Sequence, residues 1–158
     1  MWLYRKPSGS KGQGLVEFAL VFPIIVVLLL GLVDLGRAAY AYSTLSNAAR
    51  TGSRVAIVDQ YRDLNGLYKA QNVAAAQAVG INIPADTVAI SWLKDDLSAA
   101  CSPLQIGCVA EVTVGYTFSA ITPIIGALVG PITMTNTTRL PVERVYCAVP
   151  QDAPCNYP

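Results

Sequence analysis

A single carboxylate, Glu17, stands at the entrance to a segment that otherwise contains no charge. The sixteen residues after it, FALVFPIIVVLLLGLV (18–33), are all uncharged. A carboxylate beside such a segment is costly to bury, in lipid or in protein, unless a cation neutralises it. These residue types therefore predict charge pairing with an ammonium group, and the alternatives are that Glu17 reaches the lipid headgroups or compensates Lys11.

The composition gives no support to an enzyme. The chain has no histidine, which excludes Ser-His-Asp and Cys-His catalysis and most zinc sites. It also lacks a GxSxG motif and paired carboxylates at a strand end. Asp95 and Asp96 are adjacent acids in a loop, a pattern more typical of solvated residues than of calcium ligands. We therefore predict no catalytic residues, no metal and no cofactor, and a net charge of +1 gives no indication of nucleic acid.

Four cysteines lie far downstream of the apolar run. Their spacing is not that of CxxC redox or zinc motifs, and an even number in an exported region favours disulfides. Four cysteines allow three connectivities, of which we favour the local pairs Cys101–Cys108 and Cys147–Cys155. The alternative is that all four are reduced and buried.

The chain divides into a basic leader (1–12), a membrane and stalk helix (13–58) and an outer domain (59–158). Residues 15–33, here called the apolar segment, would span about 28 Å as a helix, close to the roughly 30 Å thickness of the hydrocarbon layer. A cleavable secretory signal is the rival interpretation, but the apolar stretch is long for one. Arg5, Lys6 and Lys11 precede the segment, so residues 1–14 are predicted to be cytoplasmic and everything after about residue 34 to lie outside.

The helix is predicted to continue beyond the membrane as a stalk (34–58). Apolar residues recur there at helical spacing, and the stripe is small-sided, so we expect it to pack partly on the outer domain and partly on another molecule. Pro23 is expected to kink or locally melt the helix. The apolar residues at helical spacing are Leu35, Ala38, Ala39, Tyr42, Leu45, Ala49 and Ala56. The small side chains expected to allow close approach are Ala38, Ala41, Ala48, Ala49, Gly52, Ser53 and Ala56.

Charged residues of this helix have simpler predicted roles. Asp34 and Arg37, three residues apart, are expected to pair and to mark the border of the membrane segment. Arg50 and Arg54 are expected to be solvated, with outer-domain acids such as Glu111 or Glu143, or phospholipid headgroups, as alternative partners.

The outer domain reads as a small α+β unit. Residues 67–80 predict a second helix ending at Gly80, and residues 87–93, 109–118 and 132–147 predict strands, the last one broken at Pro141. The apolar stretch 121–130 is too short to span a bilayer and is expected to be a short helix or loop covering the sheet. The predicted fold is a long N-terminal α-helix that carries a small antiparallel-sheet domain.

Two resemblances give this arrangement a more specific interpretation. A basic leader, a glycine, a glutamate five residues later and an apolar helix resemble the type III signal of type IV prepilins and pseudopilins. Residues 12–56 (GQGLVEFALVFPIIVVLLLGLVDLGRAAYAYSTLSNAARTGSRVA) are similar to the TadE-like family of tight-adherence (Tad) systems. Residues 112–143 are similar to the C-terminal half of that family.

The resemblance implies a pilin-like fold and a non-enzymatic role in biogenesis of the Tad/Flp type IV pilus and in adherence. It implies that a prepilin peptidase cuts between Gly12 and Gln13, and that the subunit assembles through Glu17, Phe18 and Pro23. The implied partners are the peptidase, related pilin or pseudopilin subunits, the Tad assembly platform and the cytoplasmic membrane. The implied location is the cytoplasmic membrane, with the outer domain outside the cytoplasm or in an extracellular pilus. The alternative is a single-pass membrane protein whose outer domain binds a ligand or partner.

Overall fold

A computed structural model describes residues 11–102 and 104–145, and it opens with one long helix, α1 (Lys11–Ala56). Its 46 residues correspond to a rod of about 69 Å, more than twice the thickness of a hydrocarbon layer. Pro23 is the one proline inside α1, and the helix is uninterrupted there. The long N-terminal helix is therefore confirmed, and the local melting expected at Pro23 is not observed.

A second helix, α2 (Lys69–Gln77), follows a turn and packs on the stalk. Tyr68 is its N-cap residue, and the amide N–H of Tyr68 donates to Gln71 Oε1 at 2.8 Å. The helix is shorter than the predicted range 67–80, because Tyr68 is extended and Ala78 leaves the helical conformation. Gly80 lies beyond the end with a φ of +79°, a conformation that favours glycine.

Three antiparallel strands form the sheet in the order β1 (Ala89–Leu93), β2 (Val109–Phe118) and β3 (Ile132–Pro141). In the central strand β2, Thr113 pairs with Ala89 of β1 and Phe118 pairs with Ile132 of β3. β1 starts later than predicted because Ala85–Thr87 form a single 3-10 turn. β3 ends at Pro141, which has no N–H to donate to a ladder. The predicted α+β arrangement is confirmed.

The hydrophobic core lies between the stalk, α2 and one face of the sheet. Leu45, Ala48 and Ala49 of α1 are fully buried there. Gly52 permits close contact, since a Cβ at this position would lie 2.9 Å from the Cβ of Ala74. The small-sided face of α1 therefore packs on the protein's own domain. The other core residues are Ala56, Ile57, Ala70, Ala74, Ala78, Ile83, Val88, Cys108, Ala110, Val112, Val114 and Val142.

The predicted stripe on the stalk is only partly correct. Leu35 and Tyr42 are 67% and 57% exposed, and Ala39 is also exposed. Most of the predicted small side chains are buried, namely Ala41, Ala48, Ala49, Ser53 and Ala56, and so is Thr44, which was not predicted. The face of α1 that packs on the domain consists mainly of small side chains, because α2 and the sheet approach the helix too closely for larger ones.

A short helix, α3 (Pro123–Val129), forms the connection between β2 and β3. It lies beyond the end of the sheet and contacts α1: the Ile125 side chain would be 3.2 Å from a Cβ placed on Gly31. The prediction of a short helix is correct, but the expectation that it covers the sheet is wrong. An acid on α1 binds the start of this connection, as described below.

Candidate functional site

The first half of α1 presents an uncovered apolar surface. Leu15 is 72% exposed, Leu20 69% and Leu28 68%. By length and composition this helix is able to cross a membrane, and none of its most apolar 18-residue window is buried within the described structure. Soluble monomers rarely leave so large a contiguous apolar surface in water. Lipid or other protein molecules must therefore cover it.

Glu17 lies on this surface near the start of the helix. Its side chain is exposed and makes no hydrogen bond or ion pair with the residues that the structure describes. Gln13 is exposed on the same face one turn earlier, as positions four residues apart are neighbours on a helix. Gly12 is also exposed, and no atom of the described residues beyond its own turn of helix lies within 4 Å of where its Cβ would stand. The geometry leaves Glu17 available to a group outside this chain.

Phe18 and Pro23 belong to the same exposed surface. The rings of Phe18 and Phe22 are tilted against each other with centroids 5.3 Å apart, and Phe18 remains 63% exposed. Pro23 is exposed and removes one N–H from the helical ladder. Within residues 11–102 and 104–145, Phe18 has a ring contact with Phe22, and both Phe18 and Pro23 are exposed. Both side chains are therefore accessible to another molecule, as an assembly role would require.

Asp34 has a role that its position in the sequence did not predict. It is only 5% exposed, and its two carboxylate oxygens accept hydrogen bonds from the backbone amides of Ile121 at 3.0 Å and Thr122 at 2.9 Å. Arg37 Nη1 donates to the same carboxylate at 3.1 Å, so the two residues pair on one helical face. Asp34 thus fastens the start of α3 to the helix where the apolar segment ends.

No local sequence pattern predicts this contact, because 87 residues separate Asp34 from Ile121. The only hint was an acid directly after an apolar segment, and that pattern also fits a border marker. The guanidinium of Arg37 lies 5.3 Å from the centre of the Phe118 ring, which adds a cation–π contact between the stalk and the end of β2. Asp34 and Arg37, the predicted pair, therefore both hold the end of the sheet against α1.

A cleft of about 370 Å³ opens beside this junction. Arg37, Tyr40, Tyr116 and Phe118 contribute to its walls. The hydroxyl of Tyr40 is occupied, since it donates to the carbonyl of Val79 at 2.9 Å. The side chains here pack and bridge elements, and they do not form the acid–base or nucleophile constellation that catalysis requires.

Two other groups of candidate residues are structural or solvated. Arg50 and Arg54 are exposed and form no ion pair with the described residues, and Glu111 pairs with Arg139 across the sheet. Asp96 accepts hydrogen bonds from the Ser98 amide and hydroxyl. In residues 11–102 and 104–145, no three metal-ligating side chains come together.

The cysteine prediction is confirmed where it falls within the described structure. Cys101 and Cys108 are joined by a disulfide that closes the loop before β2. The Cys101 amide donates to the carbonyl of Trp92, which fixes the loop to the end of β1. The second predicted pair, Cys147–Cys155, lies outside the described residues.

Fold and surface together define a class: a small α+β domain on a single long helix whose first half is built for an apolar environment. Residues 12–54 match the family model described as TadE-like protein, so the resemblance to this pilus-component family is confirmed over most of α1. The matched range contains Gly12, Gln13, Glu17, Asp34 and Arg37. No curated protein and no solved structure matches the chain. The similarity of residues 112–143 to the family lies outside the matched range and stays a prediction.

Proposed function

We propose that this protein is a non-enzymatic component of a Tad/Flp type IV pilus, a TadE-like pseudopilin that assembles through its N-terminal helix. The observation that carries the proposal is the exposed apolar half of α1 with Glu17 as its only acid. A membrane anchor alone needs the apolar residues but gains nothing from the carboxylate. A helix that leaves the bilayer to pack against copies or relatives has a use for it.

Processing supplies the partner charge. Cleavage between Gly12 and Gln13 by a prepilin peptidase creates a free α-amine, whose ordinary pKa near 8 keeps it mostly cationic at neutral pH. It also removes residues 1–12, which hold three cations, so the net charge falls from +1 to −2. The new ammonium group stands at the end of an apolar helix.

Assembly brings that ammonium group into apolar surroundings, where an unpaired charge is very costly. Glu17 of one subunit is available to neutralise the Gln13 amine of its neighbour, since it makes no hydrogen bond or ion pair with the described residues of its own chain. Each pair also fixes the axial position of one helix against the next. Phe18 and Pro23 lie beside this pair and would form part of the same contact.

The proposed location is the cytoplasmic membrane, with the outer domain outside the cytoplasm before assembly into a pilus. The cations before the apolar segment favour this orientation. The Cys101–Cys108 disulfide agrees with it, because disulfides persist in oxidising compartments. The proposed partners are the prepilin peptidase, neighbouring pilin or pseudopilin subunits and the Tad assembly platform.

The test is a Glu17→Gln variant expressed with the complete pilus system. It should insert into the membrane and be cut normally, because the leader and apolar segment are unchanged. It should be lost from the sheared pilus fraction and from complexes with the assembly platform. Removing one partner of a buried ion pair typically costs about 3–5 kcal/mol, and the loss recurs at each subunit.

Asp86→Asn is the matched control, as it also converts an acid into its amide but lies exposed in the outer domain. It should assemble like the unaltered protein. Normal amounts of Glu17→Gln protein in pili would contradict the proposal and favour a plain single-pass anchor with an outer binding domain.

A further inference from the structure

The connection between β2 and β3 carries a second exposed apolar surface. This hairpin tip (residues 119–131) contains α3 and leaves Ile121 67%, Leu128 80% and Val129 58% exposed. Ile132, the first residue of β3, is 41% exposed next to it. A tip that faced water would favour polar turn residues at these positions.

Its contacts place the hairpin tip beside the apolar segment of α1. Ile125 packs over Gly31, inside that segment, and the amides of Ile121 and Thr122 bind Asp34 directly after it. The tip therefore lies level with the last turn of the helix before the stalk begins. Leu32 and Val33, on that same turn, are 65% and 56% exposed. The exposed apolar surface of the hairpin tip therefore lies next to the exposed apolar surface of α1, at the outer end of the apolar segment.

Charge is distributed along the hairpin as an interface with a bilayer requires. No charged residue occurs from 112 to 138. Along the two strands of the hairpin, the nearest charges are Glu111 and Arg139, which pair with each other across the sheet. They stand seven residues back from the tip end of β2, about 24 Å along the strand. The tip thus has no charged side chain of its own, and the carboxylate that binds it, Asp34 of α1, is paired with Arg37.

The backbone at the start of α3 is also prepared for low polarity. The first amides of a helix have no partner within the helix, and leaving them unpaired in lipid is costly. Asp34 accepts hydrogen bonds from the amides of Ile121 and of the N-cap residue Thr122, which directly precede the helix. Pro123 stands at the start of α3 and has no N–H to satisfy. At the other end, the amide of Gly130 donates to the carbonyl of Gly126.

We propose that the hairpin tip inserts into the outer boundary of the phospholipid bilayer beside α1, with Leu128 and Val129 in contact with lipid. The proposal rests on the membrane anchoring contained in the proposed function. Lipid is the occupant because the tip surface continues the helix surface at the level where the helix leaves the bilayer. The outer domain would then touch the membrane at two places, and this second contact must be released when the subunit moves into a filament.

Fluorescence quenching by brominated lipid tests this placement. The full chain is reconstituted into phosphatidylcholine vesicles with or without bromine near the headgroup end of the acyl chains, and Leu128→Trp is compared with two matched variants. Leu64→Trp replaces a fully exposed leucine at the far end of the domain, and Leu29→Trp replaces one in the apolar segment. Each signal is taken as the difference from the unaltered chain, which already contains two tryptophans.

The expected result is a blue-shifted Leu128→Trp signal that brominated lipid quenches by about half or more, with no quenching of Leu64→Trp. Quenching of Leu29→Trp alone would overturn the inference and leave membrane anchoring intact. Absence of quenching in both Leu29→Trp and Leu128→Trp would overturn the anchoring as well. A blue shift of Leu128→Trp without quenching would assign the surface to protein contact, which also contradicts the inference.

Discussion

The two halves of α1 have opposite relations between side-chain size and burial. In the apolar segment (15–33), large aliphatic and aromatic side chains are exposed, with Leu28 at 68% and Leu32 at 65%. In the stalk, alanine, glycine and serine are buried, and Leu45 is the one large side chain that is completely buried. A soluble helix buries its large apolar residues and exposes small or polar ones. The two halves of this continuous helix therefore have different surroundings. The protein's own domain covers the stalk but not the apolar segment.

This contrast separates what holds the domain together from what the protein does. The small residues of the stalk pack against α2 and β2 of the same chain, so this face of the helix is covered without a second molecule. The apolar segment is not covered within one chain and contains the assembly residues Glu17, Phe18 and Pro23 of the proposal, with the proposed cleavage site directly before it. Substitutions in the stalk should change stability, whereas substitutions in the apolar segment should change location and assembly.

The largest stability effect is expected from removing the Cys101–Cys108 disulfide. Replacing both cysteines with alanine should lower the free energy of unfolding of the outer domain by about 2–3 kcal/mol, because the bridge closes a short loop and restricts the unfolded chain. Thermal unfolding of the purified chain in detergent measures the loss. The helical signal of the apolar segment should persist through the transition.

Ile106→Ala is the control, because Ile106 is exposed within the same closed loop. Its unfolding temperature should match that of the unaltered protein. An equal unfolding temperature for the double alanine variant would show that the bridge contributes nothing to the domain.

Two glycines on α1 provide a sharper test of stalk packing. Leucine at Gly52 would place its Cβ 2.9 Å from Ala74 Cβ and 3.3 Å from the carbonyl oxygen of Ala70, so the helices must separate. We expect Gly52→Leu to lower the free energy of unfolding by about 1–3 kcal/mol through overpacking. Gly36→Leu is the matched control on the same helix, since no atom lies within 4 Å of a Cβ there. Equal unfolding temperatures for the two variants would contradict the described packing.

The smallest effect is expected from Asp63, in the turn before α2. The side chain of Asn72 and the amides of Leu67 and Asn65 donate to its carboxylate, and these hydrogen bonds lower its pKa below the ordinary value of 3.8. The charged form therefore stabilises the folded state above pH 3.8, and this contribution is lost as the pH falls through the lowered pKa.

Unfolding temperatures of the unaltered protein and Asp63→Asn, measured from pH 6 downwards, test this contribution. The unaltered protein should lose more stability below pH 3.8 than the variant does. Asp95→Asn, at an exposed loop position, serves as the control and should follow the unaltered protein. Identical pH profiles for all three proteins would contradict the role of Asp63.

Much of this arrangement was predictable because its signals are local in the sequence. The alternation in residues 109–118 predicted β2, since side chains alternate between the faces of a strand, and the structure buries every second residue from Ala110 to Val114. The apolar segment and the short spacing of Cys101 and Cys108 were equally direct. Residues 12–56 predicted a resemblance to the TadE-like family, and the family model matches residues 12–54.

Contacts between distant segments were not predictable in this way. The binding of Ile121 and Thr122 by Asp34 needs a topology that places the hairpin tip beside α1. The sequence pattern also did not predict which face of the stalk helix packs on the domain. Leu35 and Tyr42 have side chains typical of a buried stripe, but they are exposed. Helical spacing shows which residues share a face, and only the packed partner decides which face is buried.

The central claim is that the apolar half of α1 becomes the N-terminus of an assembling subunit, and the position of that N-terminus tests it most directly. The chain is expressed with a Tad-type prepilin peptidase and examined by intact mass and N-terminal sequencing. Gly12→Leu serves as the uncut control, because the peptidase must accommodate a small residue before the cut. The account predicts a protein shortened by twelve residues that begins at Gln13, and an uncut Gly12→Leu variant. An intact Met1 in the unaltered protein, or a cut after the apolar segment, would contradict it.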